Sequence, residues 1–341
     1  MRKSLSIIAF VMVFFFFALG AVFAQRGSSG EDVVNIRIAS PLPQNSEWGR
    51  ALNRLAADWA RITNNQVRVN VSHDGREGTE ADMIRKLNSN SIQAAVLAST
   101  GIAEICPAVM NISVPFMIRN ERELDAVLQD ILPTLETRVR NEFVVLAWSK
   151  GGWVYLFSKE TVLTPTDLRR QRLATSPELK DMNTVFRTMG FNLVEADMTQ
   201  LGQRLASNAI NSVYVIPAAV APMQLHTTLN HMLDLPIAPI MGAIVINRVT
   251  WNKISSAHQQ EMIRITRRIS AEFDTSMTRT QNAAIAAMGR DGLSVNKPTA
   301  AQEQLWRSDI QAIMPSLVGS IFDRDLNNRI NRILERVRSG Q

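Results

Sequence analysis

The sequence predicts an α/β protein of two lobes, with mixed, mostly parallel sheets, two crossing strands and one long helix bracing both lobes. Three observations predict it. Short apolar runs alternate with amphipathic stretches in two separate series. Two long extended runs, "EFVVLAWSKGGWVYLFSK" and "LPIAPIMGAIVINR", follow the first and second series. The stretch from Thr250 to Gly289 keeps a helical pattern free of proline and of internal glycine. A helix of about 35 residues reaches about 50 Å at 1.5 Å per residue, more than one small lobe can cover.

The first residues stand apart. Arg2 and Lys3 precede an apolar run from Leu5 to Ala24 that ends in "GAVFAQ". A basic, an apolar and a small-residue region in that order predict a signal peptide over residues 1–24, cut after Ala24, and hence an exported chain. The run is also long enough to remain as an uncleaved anchor. The residue directly after the cut is Gln25 and not a cysteine, so no lipid anchor is expected there.

From Val34 the elements follow in order. "VNIRIAS" reads as a strand, and "EWGRALNRLAADWARIT" as a helix with Leu52, Leu55, Ala56 and Trp59 on one face. Strand "QVRVNVS", helix "EADMIRKLNSN" and strand "AAVLAS" complete a β-α-β-α-β order, the pattern of a parallel sheet with helices on both faces. "NISVPFMI" leads into helix "ERELDAVLQDILPTLETRVRN" and then the first long extended run. The second series reads strand "QRLATS", helix "ELKDMNTVFRTM", strand "FNLVEA", helix "MTQLGQRLAS" and strand "SVYVIP". The tail "DRDLNNRINRILERVRSGQ" is an amphipathic surface helix with Leu326, Ile330, Ile333 and Val337 on one face. Lobe I is thus expected over residues 33–150 plus 237–270, and lobe II over 151–236 plus 271–341.

Composition narrows the function. At 341 residues, with 46% hydrophobic and 20% charged, the chain can bury two cores. Its one cysteine, Cys106, cannot form an internal disulfide and reads as a buried small hydrophobe. Without residues 1–24 the basic residues number 35 against 31 acidic ones, a net of +4. Both signs are interspersed, and no basic stripe alternates with aromatics, which argues against nucleic-acid binding. His73, His226, His231 and His258 show no metal-ligand spacing, and no nucleophile, phosphate-loop or dinucleotide motif occurs. Neither catalysis nor a cofactor nor a metal is expected.

Two αβ series, two crossovers and a bracing helix resemble the periplasmic substrate-binding subunits of tripartite ATP-independent periplasmic (TRAP) transporters, the DctP-like family. "VNVSHDGREGTEADMIRKLNSNSIQAAV" looks like that family's strand, glycine loop and helix. "VMNISVPFMI" looks like its apolar Leu-Pro-Phe stretch, "TPTDLRRQRLATSP" like its Pro-x-Asp-Leu-Lys-Gly strand, and "FRTMGFNLVEADMTQL" like the helix and strand that follow. The likeness covers nearly all of the chain after residue 24. It implies a two-lobe periplasmic binding-protein fold, a small-molecule ligand in the cleft between the lobes, and sodium-coupled delivery to small and large membrane subunits. Some relatives work with a periplasmic tetratricopeptide-repeat protein, a further partner that the resemblance implies.

The chain also departs from the family pattern. In most members the strand after "DLKG" presents an arginine that pairs bidentately with a substrate carboxylate. Counting along "DLRRQRLATSP" from Asp167 places Ala174 there. Other ligand-facing positions of the family fall at Ala98, Trp153, Met198 and Val215. With Trp48 at a strand-to-helix junction and Tyr214 beside "VIP", these seven residues are the candidate ligand contacts. Trp48, Trp148 and Trp153 have a second reading as packing where the lobes meet, while Trp59, Trp251 and Trp306 read as helix packing. A cleft lined in this way charges a carboxylate several kcal/mol of desolvation, whereas it favours an alkyl or isoprenoid chain at about 25 cal/mol per Å². Two alternatives stay open: an organic acid held by Arg172 or Arg76, and a periplasmic interaction protein with a vestigial cleft. The hinge is expected near Gly151 and Gly152 and near Pro236 to Pro239.

Overall fold

The first series of apolar runs builds one half of a ten-stranded sheet. The computed structural model describes residues 33–340, and the signal peptide expected over residues 1–24 lies outside them. Strands β1 (Val34–Ala39), β2 (Val67–Ser72) and β3 (Ala94–Ala98) pair in parallel in the order β2-β1-β3. Helix α1 (Glu47–Ile62) starts where the Ser46 side chain accepts the Gly49 N–H, and buries Trp48, Leu52, Leu55 and Trp59. Helix α2 (Glu80–Asn88) begins with a reciprocal capping box between Thr79 and Asp82.

After β3 come helix α3 (Ser99–Ile105) and a 3-10 turn over Pro107–Ser113, neither of which the periodicity predicted. Helix α4 (Glu121–Val139) follows and leads into β4 (Phe143–Ser158). The second series then forms α5 (Pro165–Arg169), β5 (Arg172–Thr175), α6 (Lys180–Thr188), β6 (Asn192–Glu195), α7 (Leu201–Ala206), β7 (Ser212–Val215), α8 (Pro217–Val220) and β8 (His231–Leu233). β9 (Ala238–Asn247), the short α9 (Arg248–Trp251), α10 (Ser256–Arg290), β10 (Ser294–Asn296), α11 (Ala300–Leu317) and α12 (Arg324–Ser339) close the chain.

The two long extended runs are the crossing strands. β4 is antiparallel to β9 along most of its length, and β9 is antiparallel to β3. At about 3.3 Å per residue β4 spans roughly 50 Å, enough to serve two sheet halves. The first half runs β2-β1-β3-β9-β4, and the second runs β4-β7-β5-β6 with β5 parallel to both its neighbours. The β4-β9 register slips twice, between Val145 and Ala147 and between Lys150 and Gly152.

The long helix is the 35-residue α10, and it starts later than the pattern suggested. Ser255 caps it by accepting the His258 N–H, which sets Thr250 and Trp251 apart in α9. Met262, Ile265 and Ile269 near its start join an apolar cluster with Ile36, Leu55, Trp59 and Ile246 under the first sheet half. Met288 near its end joins Phe157, Leu201, Val213 and Val220 under the second half. One helix therefore ties together two cores, the bracing role expected of it.

The tail helix α12 buries Leu326, Ile330 and Ile333, half-buries Val337 and packs along α4. Arg338 clamps Glu123 with two hydrogen bonds of 2.9 Å. α11, which the sequence signalled only through Trp306, reaches α5 instead, where Arg169 grips both oxygens of Asp309.

Candidate ligand-binding cavity

A cavity of about 570 Å³ opens between the two sheet halves, within the size range of small-molecule sites. Its wall is built mainly from the carboxyl ends of parallel strands, where β3 runs into α3 and where β5 and β7 stop. Ligands of open α/β sheets settle at such ends because the backbone there is free of further pairing. β4 and β9 contribute Val154, Pro239 and Ile240 to the wall.

Of the seven residues singled out from sequence, Ala98, Ala174, Met198, Tyr214 and Val215 all line this cavity. Ala174 is flanked by Val194 on β6 and Val213 on β7. Met198 stays well exposed, at 41%. Trp48 and Trp153 lie off the wall. Trp48 is buried against Phe273 of α10, with ring centroids 4.0 Å apart. Trp153 is buried with its indole N–H donating to Glu121 at 2.6 Å, and its backbone N–H donates to Gln281. Both rings took the second reading allowed above, as packing residues. Trp148 is half-buried and donates its indole N–H to Glu136 at 3.0 Å.

The wall also holds residues that sequence reasoning missed. Glu80 reaches from the first turn of α2 to the start of α3, where it accepts the N–H groups of Ala98 at 2.7 Å and Gly101 at 2.6 Å and the Thr100 hydroxyl at 2.6 Å. A Cβ at position 101 would lie 2.6 Å from the Glu80 carboxylate, so a side chain there would have to push that carboxylate away from its three hydrogen bonds. Met110, Leu179 and Met182 complete a largely apolar interior that also includes the hydroxyl-bearing Thr175. The usable signal was positional, since Thr175 ends a strand predicted to be parallel and Glu80 opens the helix after the glycine loop.

Charges on the wall are unbalanced. Glu80, Glu104, Glu178 and Asp181 face a single cation, Lys180, and no arginine lines the cavity among the described residues. Both arginines considered for an acid are engaged elsewhere. Arg172 sits at the opposite end of β5 from Thr175 and donates to the Asn208 carbonyl at 3.0 Å. Arg76 is exposed and pairs loosely with Asp74 at 3.6 Å. Burial pushes the Tyr214 hydroxyl well above its ordinary pKa, so it stays neutral at every physiological pH. The described residues contain no group of three or more His, Cys, Asp or Glu side chains placed to hold a metal. No helix among them is long and apolar enough to cross a membrane.

Comparison with known proteins places this arrangement. A solved TRAP periplasmic solute-binding protein from Ralstonia eutropha, with (S)-2-acetolactate bound, superposes with a TM-score of 0.79 at 16% identity, covering 89% of this chain and 99% of that one. One from Xanthobacter autotrophicus with β-D-galacturonate gives 0.75 at 15% identity, covering 88% and 99%. The sugar-acid-binding protein of Advenella mimigardefordensis, with galactonate, gives 0.76 at 14%, covering 89% and 98%. At such identities the likeness is one of fold. A solute-binding protein of Verminephrobacter eiseniae is 26% identical over 238 residues, covering 67% of this chain and 69% of that protein. The model of the bacterial extracellular solute-binding proteins, family 7, matches residues 38–319, and on that span the chain belongs to this DctP family of TRAP solute-binding proteins.

Proposed function

We propose that this chain captures an apolar, uncharged ligand in the periplasm and hands it to the small and large membrane subunits of a TRAP transporter. Solved members of the family hold acetolactate, galacturonate and galactonate, all of them carboxylates. The observation that carries a different ligand here is the wall itself, which is apolar inside, has no arginine among the described residues and bears four carboxylates against one lysine. A carboxylate entering it would lose its hydration without a bidentate partner, at a cost of several kcal/mol. An alkyl chain gains about 25 cal/mol per Å² on the same wall.

In this reading the two sheet halves act as lobes and close over the ligand about β4 and β9, near Gly151, Gly152 and Pro236 to Pro239. Lobe I takes residues 33–150 plus 237–270 and lobe II takes 151–236 plus 271–341, with α10 as the strut and α12 reaching back onto α4. A periplasmic tetratricopeptide-repeat protein is a further partner in the proposal, to be sought by co-purification.

Native mass spectrometry of freshly purified protein tests the ligand class. A retained lipid-like mass supports the proposal, and a retained small organic acid overturns it. The second outcome is the one Lys180 favours, as the single cation on the wall.

A further inference from the structure

Six of the side chains lining the cavity carry hydroxyls, and four of them are committed within the protein. Ser99 donates to the Met241 carbonyl and accepts its N–H, Thr100 donates to Glu80, Ser113 donates to the Pro239 carbonyl, and Ser176 accepts the Glu178 N–H. Thr175 and Tyr214 differ. The Thr175 hydroxyl has no hydrogen-bond partner although the residue is only 4% exposed. Tyr214 is half-buried, and its hydroxyl makes no hydrogen bond among the described residues, while burial raises its pKa.

These two residues are neighbours. β5 and β7 are parallel with Leu173 opposite Ser212 and Ala174 opposite Val213, so the next step of the register sets Thr175 beside Tyr214. Residues at matched positions share a face, and here they share it at the carboxyl ends of both strands, on the cavity wall. The Tyr214 ring is held edge-on against Phe186, with centroids 5.0 Å apart, and Phe186 is itself buried. The buried Thr175 hydroxyl without a partner costs the fold stability, which an arriving hydrogen-bonding group offsets.

We propose that Thr175 and Tyr214 form a neutral recognition pair that hydrogen-bonds an uncharged oxygen of the ligand, a hydroxyl or carbonyl at the polar end of an otherwise apolar molecule. This rests on the apolar-ligand reading above and adds the chemistry of the ligand's head. Neither hydroxyl carries charge, so the pair favours an alcohol, ketone or ester over a carboxylate, which would meet the surrounding carboxylates instead. Within an apolar wall, a site built to hydrogen-bond one oxygen discriminates strongly against a ligand that lacks it.

The test uses two probes of equal size, 1-decanol and n-undecane, titrated calorimetrically into the wild type, Thr175→Val and Tyr214→Phe. Each variant removes one hydroxyl and keeps the shape of the side chain. The expected result is a loss of about tenfold in decanol affinity in each variant, with undecane affinity unchanged. Unchanged undecane binding also shows that the cavity remains folded. Decanol binding that is equal in all three proteins, with undecane binding unchanged, overturns the recognition pair while leaving an apolar cavity intact. If neither probe binds the wild type, the apolar-ligand reading falls and takes the pair with it.

Discussion

Asp274 of α10 accepts the backbone N–H of Lys150 on β4 at 2.8 Å, at the place where β4 slips in register against β9. Its neighbours on the helix do the same for the rest of the crossover. Ser270 donates its hydroxyl to the Trp148 carbonyl at 2.6 Å, and Gln281 accepts the Trp153 N–H at 3.2 Å. Residues four and seven apart on a helix return to one face, so a single stripe of α10 serves the irregular part of β4. A bulge interrupts the ladder, and backbone groups it leaves unpaired need partners from outside the sheet. The strut supplies them with side chains.

Asp274 sits in a cluster with one cation and two other acids. Lys150 donates its ammonium to Glu121 at 3.0 Å and to Asp125, and Glu121 also accepts the Trp153 indole N–H. Burial above all, with help from the Glu121 and Asp125 charges, pushes the Asp274 carboxyl up to about 6, against the pull of the Lys150 N–H and ammonium. The folded protein therefore binds this proton more tightly than the unfolded chain. Asp274 then costs no stability at pH below its ordinary value, and costs stability as pH rises from there through about 6. Asp274→Asn keeps an acceptor for the Lys150 N–H and removes the titration. The melting temperature of the variant minus that of the wild type should be more positive at pH 8 than at pH 4.5. A difference independent of pH would show that the carboxyl does not titrate in this window.

Gly152 lies beside the same strut with φ of +95°, and a Cβ there would sit 1.8 Å from the Gln281 amide nitrogen. Gly152→Ala therefore meets backbone strain and a collision with a buried side chain, and should cost on the order of 2–3 kcal/mol. Gln281→Ala removes the collision but also the bonds to Trp153. In the double variant the costs should fall well short of additive, by about 1 kcal/mol or more in a chemical-denaturation cycle. Strict additivity would mean that Gly152 and Gln281 do not constrain one another.

How far these features were legible depends on what carries them. The two crossing strands and the strut announced themselves because a long run without breakers is visible in one dimension, and both appear as β4, β9 and α10. Ala98, Ala174, Met198 and Val215 were reachable through the family resemblance, and Tyr214 through its place beside "VIP" at the end of a predicted strand, and all five line the cavity. α3 and the 3-10 turn after it were not, since "STGIAEI" and "PAVMNIS" are short and are fixed from other elements, the first by Glu80 and the second by bonds of Asn111 to Asp323 and of Ser113 to Pro239. The tryptophans misled for a related reason. Sequence places Trp48 and Trp153 at junctions, but Phe273 and Glu121, which settle their orientation, are far away along the chain.

Trp153 accordingly yields a stability prediction. Its ring is buried with its N–H spoken for, and it lies off the cavity wall. Trp153→Ala should lower stability by about 3–5 kcal/mol, as core tryptophan truncations do. Decanol affinity measured well below the lowered melting temperature should change by less than about threefold. A large affinity loss with normal stability would return Trp153 to the ligand.

Ala174 is where the family's carboxylate-pairing arginine is expected, and its surroundings are Val194 and Val213 at the cavity edge. Ala174→Arg introduces a guanidinium that has no partner on the wall unless the ligand brings one. With 1-decanol as the probe, the unpaired charge must either lose hydration or swing out and block the entrance, and affinity should fall by about a hundredfold. With decanoate the same guanidinium gains a bidentate partner, which is the pairing its geometry suits best. The preference for decanol over decanoate should therefore invert in the variant, although Glu178 and Asp181 nearby will hold the absolute affinity for decanoate down. Ala174 is buried, so thermal denaturation of the empty variant guards against misreading an overpacked strand as a binding effect, and affinities are compared well below the variant's lowered melting temperature. Equal affinities for decanol in wild type and variant would mean that position 174 does not face the ligand, and the apolar reading would lose the departure from the family on which it first rested.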